Sequence, residues 1–273
     1  METPRICEKY LSNRLCSAEY ARQLTKLAER LGGLTADGVN AYLRSRKDSV
    51  APVTLANERR QALTLWRWAW EEGLVDSPPR GVMRVRAPLQ PVQAWTIAHC
   101  QELVKGAAAF SGKRLRNGAD LGDFLRCWVL LGYETGARYG DIFSWTGDNI
   151  RGCAISWVTG KTGQICTRIL SDQAVEAARS MLPKSPDGRI LGWVASRRYS
   201  FRLMRRLLAS SVKTGSGRWL RRSAATHIEM TDPGKAQWFL AHRSPGLAAR
   251  HYLDQAQLAG ATARPPSLCG PRS

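Results

Sequence analysis

Acidic residues are few in this chain. Against 41 Lys and Arg stand only 22 Asp and Glu over 273 residues, a formal charge of +19 and a pI near 10.3. Such a surplus requires an anionic partner, with nucleic acid the first candidate and an anionic membrane surface the rival. Long apolar runs are missing too. No stretch approaches the roughly 18 apolar residues that a membrane-spanning helix needs. The start, Met1-Glu2-Thr3-Pro4, has no basic lead into an apolar run, so no secretion signal is expected. Only four histidines occur, His99, His227, His242 and His251, and no two have the spacing of a helical metal pair. The seven cysteines are odd in number and form no Cys-x-x-Cys. Scattered thiols suit a reducing cytoplasm and argue against a zinc site or a disulfide framework. The expectation is a cytoplasmic, nucleoid-associated protein with no metal and no cofactor.

What is present is enough apolar residue, 44%, to bury a sizeable core, and a length that suits two ordinary domains. Residues 1–88 read as a small helical bundle. Tyr20, Leu24, Leu27 and Leu31 recur at steps of three and four within Ser17 to Leu31, closed by Gly32-Gly33. Thr35 opens a second helix through Val39, Tyr42 and Leu43. Pro52 to Gly73 is the longest, with Leu55, Leu63, Trp66 and Trp70 as its apolar stripe and Arg59, Arg60 and Arg67 off it. Trp66, Trp68 and Trp70 are expected to pack in a core rather than stack on bases. Ser77-Pro78-Pro79 stops the domain, 89–94 forms a linker, and a second domain covers 95–263, with a disordered tail over 264–273. Residues 1–88 carry a net +5 and the remainder +14, a division that suits clasping a duplex between two modules.

In the second domain a helix over Ile97 to Ala109 and a solvated loop from Ser111 to Asp120 precede a strongly apolar helix, Phe124 to Tyr133. It delivers Glu134-Thr135-Gly136-Ala137-Arg138-Tyr139-Gly140-Asp141. Gly136 permits a sharp turn, and Arg138 is expected to start a helix with Asp141 three residues on, on the same face. Two alternating segments, Cys153 to Val158 and Ile165 to Leu170, flank a turn at Thr159-Gly160-Lys161-Thr162-Gly163-Gln164 and predict a β-hairpin. A helix from Ser171 to Leu182 ends at Pro183. Another carries Phe201, Met204, Leu207 and Leu208 on one face, with Arg197, Arg198, Arg202, Arg205 and Arg206 off it, suited to phosphate contacts. The last stretch concentrates chemistry: Arg218-Trp219-Leu220-Arg221-Arg222-Ser223, then Leu240-Ala241-His242-Arg243, then Arg250-His251-Tyr252. Guanidinium forks match phosphate oxygens and keep their charge, and a phenol can serve as a covalent nucleophile. Gln255 to Ala261 suits a short helix. The class is mainly α with a small β-hairpin or sheet: a helical bundle followed by an α+β domain.

At these residues the chain resembles the tyrosine recombinase (phage integrase) family. Thr135, Gly136, Arg138 and Asp141 match its Thr-Gly-x-Arg-x-x-Glu/Asp box, and Lys161-Thr162-Gly163 its hairpin Lys-Thr-Gly. Leu220, Arg221, Ser223, Ala225 and Thr226 match its His-x-Leu-Arg box, with Arg218 in place of His. Leu240-Ala241-His242 stands for Leu-Gly-His, with Ala for Gly, and Tyr252 follows His242 by ten residues. The resemblance covers most of the chain.

The resemblance implies a site-specific DNA recombinase of integrase type, independent of metal and ATP. Its N-terminal core-binding domain and its catalytic domain would together grip a duplex. Arg138 and Arg221 would clamp the phosphate, with Asp141 orienting Arg138 and His242 adding a donor. Tyr252 would attack to form a 3′-phosphotyrosyl link, and Lys161 would protonate the leaving 5′ oxygen. Arg218 cannot act as a base. It is expected to be an extra phosphate clamp, the alternatives being that His227 or His251 moves the proton, or that the enzyme is slow or dead. DNA contacts are expected at Arg198, Arg202, Arg205, Arg206, Arg222, Arg243, Arg59 and Arg60. Expected partners are double-stranded DNA at a specific site, three further copies in a synaptic tetramer built from monomers, and accessory DNA-bending or directionality proteins, with no membrane. Competing readings are a DNA-binding relative impaired in cleavage, a type IB topoisomerase acting as a monomer, and a basic RNA-binding module.

Overall fold

The computed structural model describes residues 2–191, 196–241 and 245–261, and the chain divides into two compact units, Met1–Gln90 and Pro91–Ser273. The helices of the first unit follow from local signals. α1 (Thr3–Asn13) has Pro4 in its first turn. α2 (Ala18–Ala28) is capped by Ser17, whose Oγ accepts from Tyr20 N at 3.3 Å. α3 (Ala36–Arg46) is capped by Thr35, which accepts from Gly38 N at 3.1 Å. α4 (Pro52–Glu71) opens on Pro52, which lacks the N–H that a helix start leaves unpartnered. α1 has no counterpart among the elements expected from periodicity, because only Thr3, Ile6, Cys7 and Tyr10 of it reach the core.

That core gathers Ile6, Leu24, Leu43 and Leu65 around Trp66 and Trp68. Each large apolar side chain so buried contributes about 1.5–3 kcal/mol. Tyr10 meets Trp68 edge-on at 5.3 Å between centroids, and Trp66 Nε1 donates to Ser77 O at 2.8 Å. The stripe of α4 is not the expected one. Leu65 and Trp68 are buried, Leu63 is half-buried, and Trp70 is 43% exposed. α4 packs against α1, α2 and α3 at once, so its buried arc is wider than a single stripe and is centred elsewhere.

The second unit runs α5 (Ile97–Gly106), a short 3-10 turn (Ala107–Phe110), α6 (Leu121–Thr135), α7 (Tyr139–Ile142), the strands β1 (Ile150–Arg151), β2 (Ala154–Val158) and β3 (Ile165–Ile169), then α8 (Asp172–Met181), α9 (Arg197–Ser210), α10 (Trp219–Thr231), α11 (Ala236–Phe239), α12 (Pro245–His251) and α13 (Gln255–Ala261). α6 is its axis. Asp120 starts it by accepting from Gly122 N at 2.8 Å and Asp123 N at 3.2 Å. The helix is buried nearly all round and packs on α5, α8 and α10, as a helix apolar on all sides must. Gly132 lets α10 come close, since a Cβ there would stand 2.9 Å from Leu220 Cδ1.

The three strands pair antiparallel in the order β1-β2-β3, with Ser156 opposite Thr167 and Trp157 opposite Cys166. Ile155, Trp157 and Cys166 face the core, while Val158, Ile165 and Ile169 face out. β1 has two residues, too few for alternation to show in the sequence. The loop before α6, expected to be solvated, tucks Leu115 and Ala119 into the core. Among the described residues no helix is long and apolar enough to cross a membrane. The tail expected over 264–273 lies outside the described residues.

Candidate active site

The site begins where α6 ends. Gly136 adopts a left-handed φ of 57°, and a Cβ there would overlap the Phe239 ring. Only glycine meets both conditions. The chain reverses and presents Arg138 as the residue before α7, in extended conformation (φ −73°, ψ 152°) and half-buried. Arg138 is the N-cap of α7 and Asp141 its third residue. Among the described residues no ion pair joins Arg138 to Asp141. The buried Asp141 instead accepts from Gly160 N at 2.9 Å, so it pins the β2–β3 turn.

That turn is braced from within. Gln164 N donates to Thr159 Oγ1 at 3.1 Å, Gly163 N to Thr159 O at 2.9 Å, and the Thr159 and Thr162 hydroxyls lie 2.7 Å apart. Lys161 stands exposed on this hydrogen-bonded turn, and its side chain lines the same cleft as Arg138.

α10 supplies two further arginines. Arg218 precedes its first residue and is exposed toward the cleft. Arg221 is 8% exposed. Its Nη1 donates to Gly136 O and its Nη2 to Leu240 O at 2.9 Å, and its guanidinium carbon lies 5.0 Å from the centre of the Tyr252 ring. Burial pulls the Arg221 pKa down to about 10, Arg138 pulls the same way, and Tyr252 and Asp141 oppose them. The group remains a cation at neutral pH. Two of its N–H donors are committed to backbone carbonyls, so it joins the Gly136 turn to the segment after α11 as well as charging the cleft.

Tyr252 follows α12, half-buried. Thr226 on α10 holds the backbone on both sides of it, donating to Tyr252 O at 3.4 Å and accepting from Asp254 N at 3.0 Å. The buried Asp254 caps α13 and accepts from Ala94 N at 3.0 Å. His242 and Arg243 lie outside the described residues. Ala241, just before them, has φ 51°, a left-handed conformation at the position where the resembling family carries Gly. Relief of about 1–2 kcal/mol of strain should exceed the roughly 0.5–1 kcal/mol of extra chain entropy that glycine brings. Ala241→Gly is therefore expected to raise the urea midpoint slightly, by about 0.5 kcal/mol in stability.

One cleft of about 1190 Å³ gathers Arg138, Lys161, Arg197, Arg218, Arg221 and Arg222, with Tyr252 beside them and Asp141 the single carboxylate. Two of its members were not among the residues expected to act on the phosphate. Arg197 stacks over Tyr139 and Phe201 at 5.2 and 5.5 Å. His251, weighed only as an alternative proton mover, is exposed and lines the cleft. Arg198, Arg202, Arg205 and Arg206 form the exposed face of α9 outside the cleft lining, Arg202 lying over Tyr199 at 5.0 Å. Arg60 is exposed in the first unit and bonds Asn57 at 2.9 Å. Arg59 is taken up by its own unit, donating to Met83 O at 2.7 Å and Val82 O at 3.5 Å, and is better placed to hold that segment than to meet a phosphate.

His227 does not reach the cleft. It is buried, with Nδ1 2.8 Å from Tyr133 Oη, so it is not placed to move protons at Tyr252. Burial holds its pKa below the ordinary 6.5, with the nearby Trp95 backbone and Gln257 side chain acting the other way. The fold favours the neutral ring, and the unfolded chain takes up the proton first as pH falls. The stability this provides is complete above about pH 6.5 and is lost on acidification through the folded-state pKa. His227→Gln should flatten the dependence of Tm on pH below about 6.5, read by thermal melts across a buffer series.

No family model matches the chain, and no curated protein matches it in sequence. Solved structures resemble its fold. A lambda integrase dimer bound to a COC′ core site aligns at TM-score 0.72 and 17% identity, covering 97% of this chain and 79% of that one. A lambda integrase tetramer bound to a Holliday junction gives 0.66 and 18%, covering 89% and 76%. The Tn1549 transposon integrase in complex with a circular intermediate DNA gives 0.68 and 11%, covering 92% and 95%. The mainly helical second unit with its small antiparallel sheet has the fold of the tyrosine recombinase catalytic domain.

Proposed function

We propose that this chain is a site-specific DNA recombinase that cleaves and rejoins strands through a 3′-phosphotyrosyl link on Tyr252. The observation that carries the reading is the cleft itself: six cationic side chains and one carboxylate surround a phenol whose ring lies 5.0 Å from a buried guanidinium. A phosphodiester under attack develops negative charge on its non-bridging oxygens, and preorganised cations stabilise that charge most in the transition state. Arg138 and Arg218, on the cleft wall, would hold those oxygens. Arg221 would add charge from beneath and keep Tyr252 aligned. The Tyr252 oxygen would attack phosphorus, the phenol proton passing to solvent or to a cleft group. The bond to the 5′ oxygen would break, and Lys161 would protonate that oxygen as it leaves. The link keeps the energy of the broken bond, so a 5′-hydroxyl from a second duplex would reverse the step without a nucleotide.

The basic face of α9 and Arg222 would carry phosphate contacts, the first unit would act as the core-binding module, and exchange would take place in a tetramer assembled on two duplexes. The lambda integrase structures with this fold support such an assembly, one a dimer on a core site and one a tetramer on a Holliday junction. The test is strand exchange between two duplexes drawn from the DNA flanking the gene, without ATP. Site-dependent exchange is expected. Relaxation of any supercoiled plasmid by monomers would instead indicate a topoisomerase, and binding with neither activity an impaired relative.

A further inference from the structure

Arg168 stands out among the buried groups that the proposed mechanism leaves unused. It occupies β3 at an inward-facing position, half-buried, and among the described residues no carboxylate forms an ion pair with it. Its two terminal nitrogens are taken up by backbone carbonyls, while Nε is buried without a hydrogen-bond partner. Nη1 donates to Thr167 O at 2.6 Å, while Nη2 donates to Trp238 O at 3.2 Å and to Phe239 O. The guanidinium carbon lies 5.0 Å from the Phe239 ring centre and 6.0 Å from that of Trp157. Burial lowers its pKa, a cost that a purely solvated arginine would not bear.

The carbonyls it holds belong to the end of α11, where a helix's last C=O groups lack i+4 partners, though Trp238 O also accepts from Ala241 N at 3.1 Å. Arg221 takes the next carbonyl, Leu240 O. Two guanidiniums therefore hold three successive carbonyls, directly before Ala241 turns left-handed toward position 242. The Phe239 ring under Arg168 is also the one that closes on Gly136, the turn that presents Arg138.

We infer that Arg168 is a positioning residue that locks the hairpin carrying Lys161 to the end of α11 and, through the Phe239 ring, to the turn presenting Arg138. The inference rests on the reading proposed above. A displacement of about 1 Å in such a frame costs on the order of a hundredfold in rate without touching the reacting atoms. Arg168 itself meets no substrate in this account.

The test uses Arg168→Met, which keeps the buried stem but removes the donors, and Arg168→Lys, which restores one point donor. With full-length protein and saturating nicked duplex, Arg168→Met is expected to slow covalent adduct formation roughly 10- to 100-fold while the Kd for duplex stays within about twofold. Arg168→Lys should recover part of the rate, and it stands alone as the test should the Met variant not fold. Amide exchange should speed up at residues 239–241. An unchanged rate per folded molecule would overturn the inference, as would a Kd weakened in step with the rate, which would make Arg168 a DNA contact. Should the wild type form no adduct at all, the recombinase reading fails, and the exchange at 239–241 still decides the positioning role: faster exchange supports the lock and unchanged exchange refutes it.

Discussion

Tyr252→Phe is expected to abolish covalent capture of DNA while leaving duplex affinity within about twofold of wild type. The change removes one oxygen. The ring keeps its place against Arg221, 5.0 Å away, and the backbone around it stays tied to Thr226 at 3.4 and 3.0 Å. No phosphate contact is lost, because the cations of the cleft come from other residues. What is lost is the proposed nucleophile, and no other phenol is placed to stand in for it. Tyr139 also lines the cleft, but it stacks on Phe143 and Phe201 and donates to Ser200 Oγ at 3.0 Å. The readout is a denaturing gel of protein mixed with a duplex nicked near the exchange point, where loss of the cut end traps the link. Residual capture by the Phe variant would assign the chemistry to another side chain.

The second large effect separates two arginines that the motif treats as equals. Arg221→Ala should cost both fold and activity. It strips buried Gly136 O and Leu240 O of their donor, and each buried carbonyl left without one costs about 1–3 kcal/mol. A loss of about 2–5 kcal/mol corresponds to a Tm lower by roughly 5–15 °C in a unit of this size. Arg138→Ala should leave Tm nearly unchanged, because Arg138 is half-buried at the cleft wall and joins no ion pair among the described residues. Its cost should appear in the rate, about a hundred- to a thousandfold, the usual loss when one preorganised donor to a developing oxyanion is removed. Thermal melts and single-turnover rates on both variants check the contrast. Equal Tm losses would show that Arg138 too is part of the frame.

Much of the second unit was legible because its signals are local. α6 is an apolar run with an Asp cap before it and a glycine after it, and β2 and β3 alternate cleanly about a glycine-bearing turn. The residues that the structure gathers in one cleft come from short windows whose residue types are rare together: Arg138 with Asp141, Lys161, Arg218 with Arg221, and Tyr252. What the sequence did not show depends on contacts distant in sequence or on a backbone angle. Asp141 accepts from Gly160 N, nineteen residues on in the β2–β3 turn. Arg59 is drawn to carbonyls more than twenty residues away. Arg168 meets α11 across some seventy residues. Its inward parity with Cys166 and Leu170 was the one visible signal, since an arginine at a core-facing strand position must find partners inside. The buried arc of α4 moved because three helices surround it, a fact of packing that no period within α4 records.

The most direct measurement is to locate the covalent bond. Wild-type protein trapped on a nicked duplex from the flanking DNA, digested with trypsin and analysed by mass spectrometry, is predicted to carry the 3′-phosphoryl nucleotide on Tyr252, within the peptide that begins at His251. A nucleotide on any other residue, or none while the duplex is fully bound, would contradict the account.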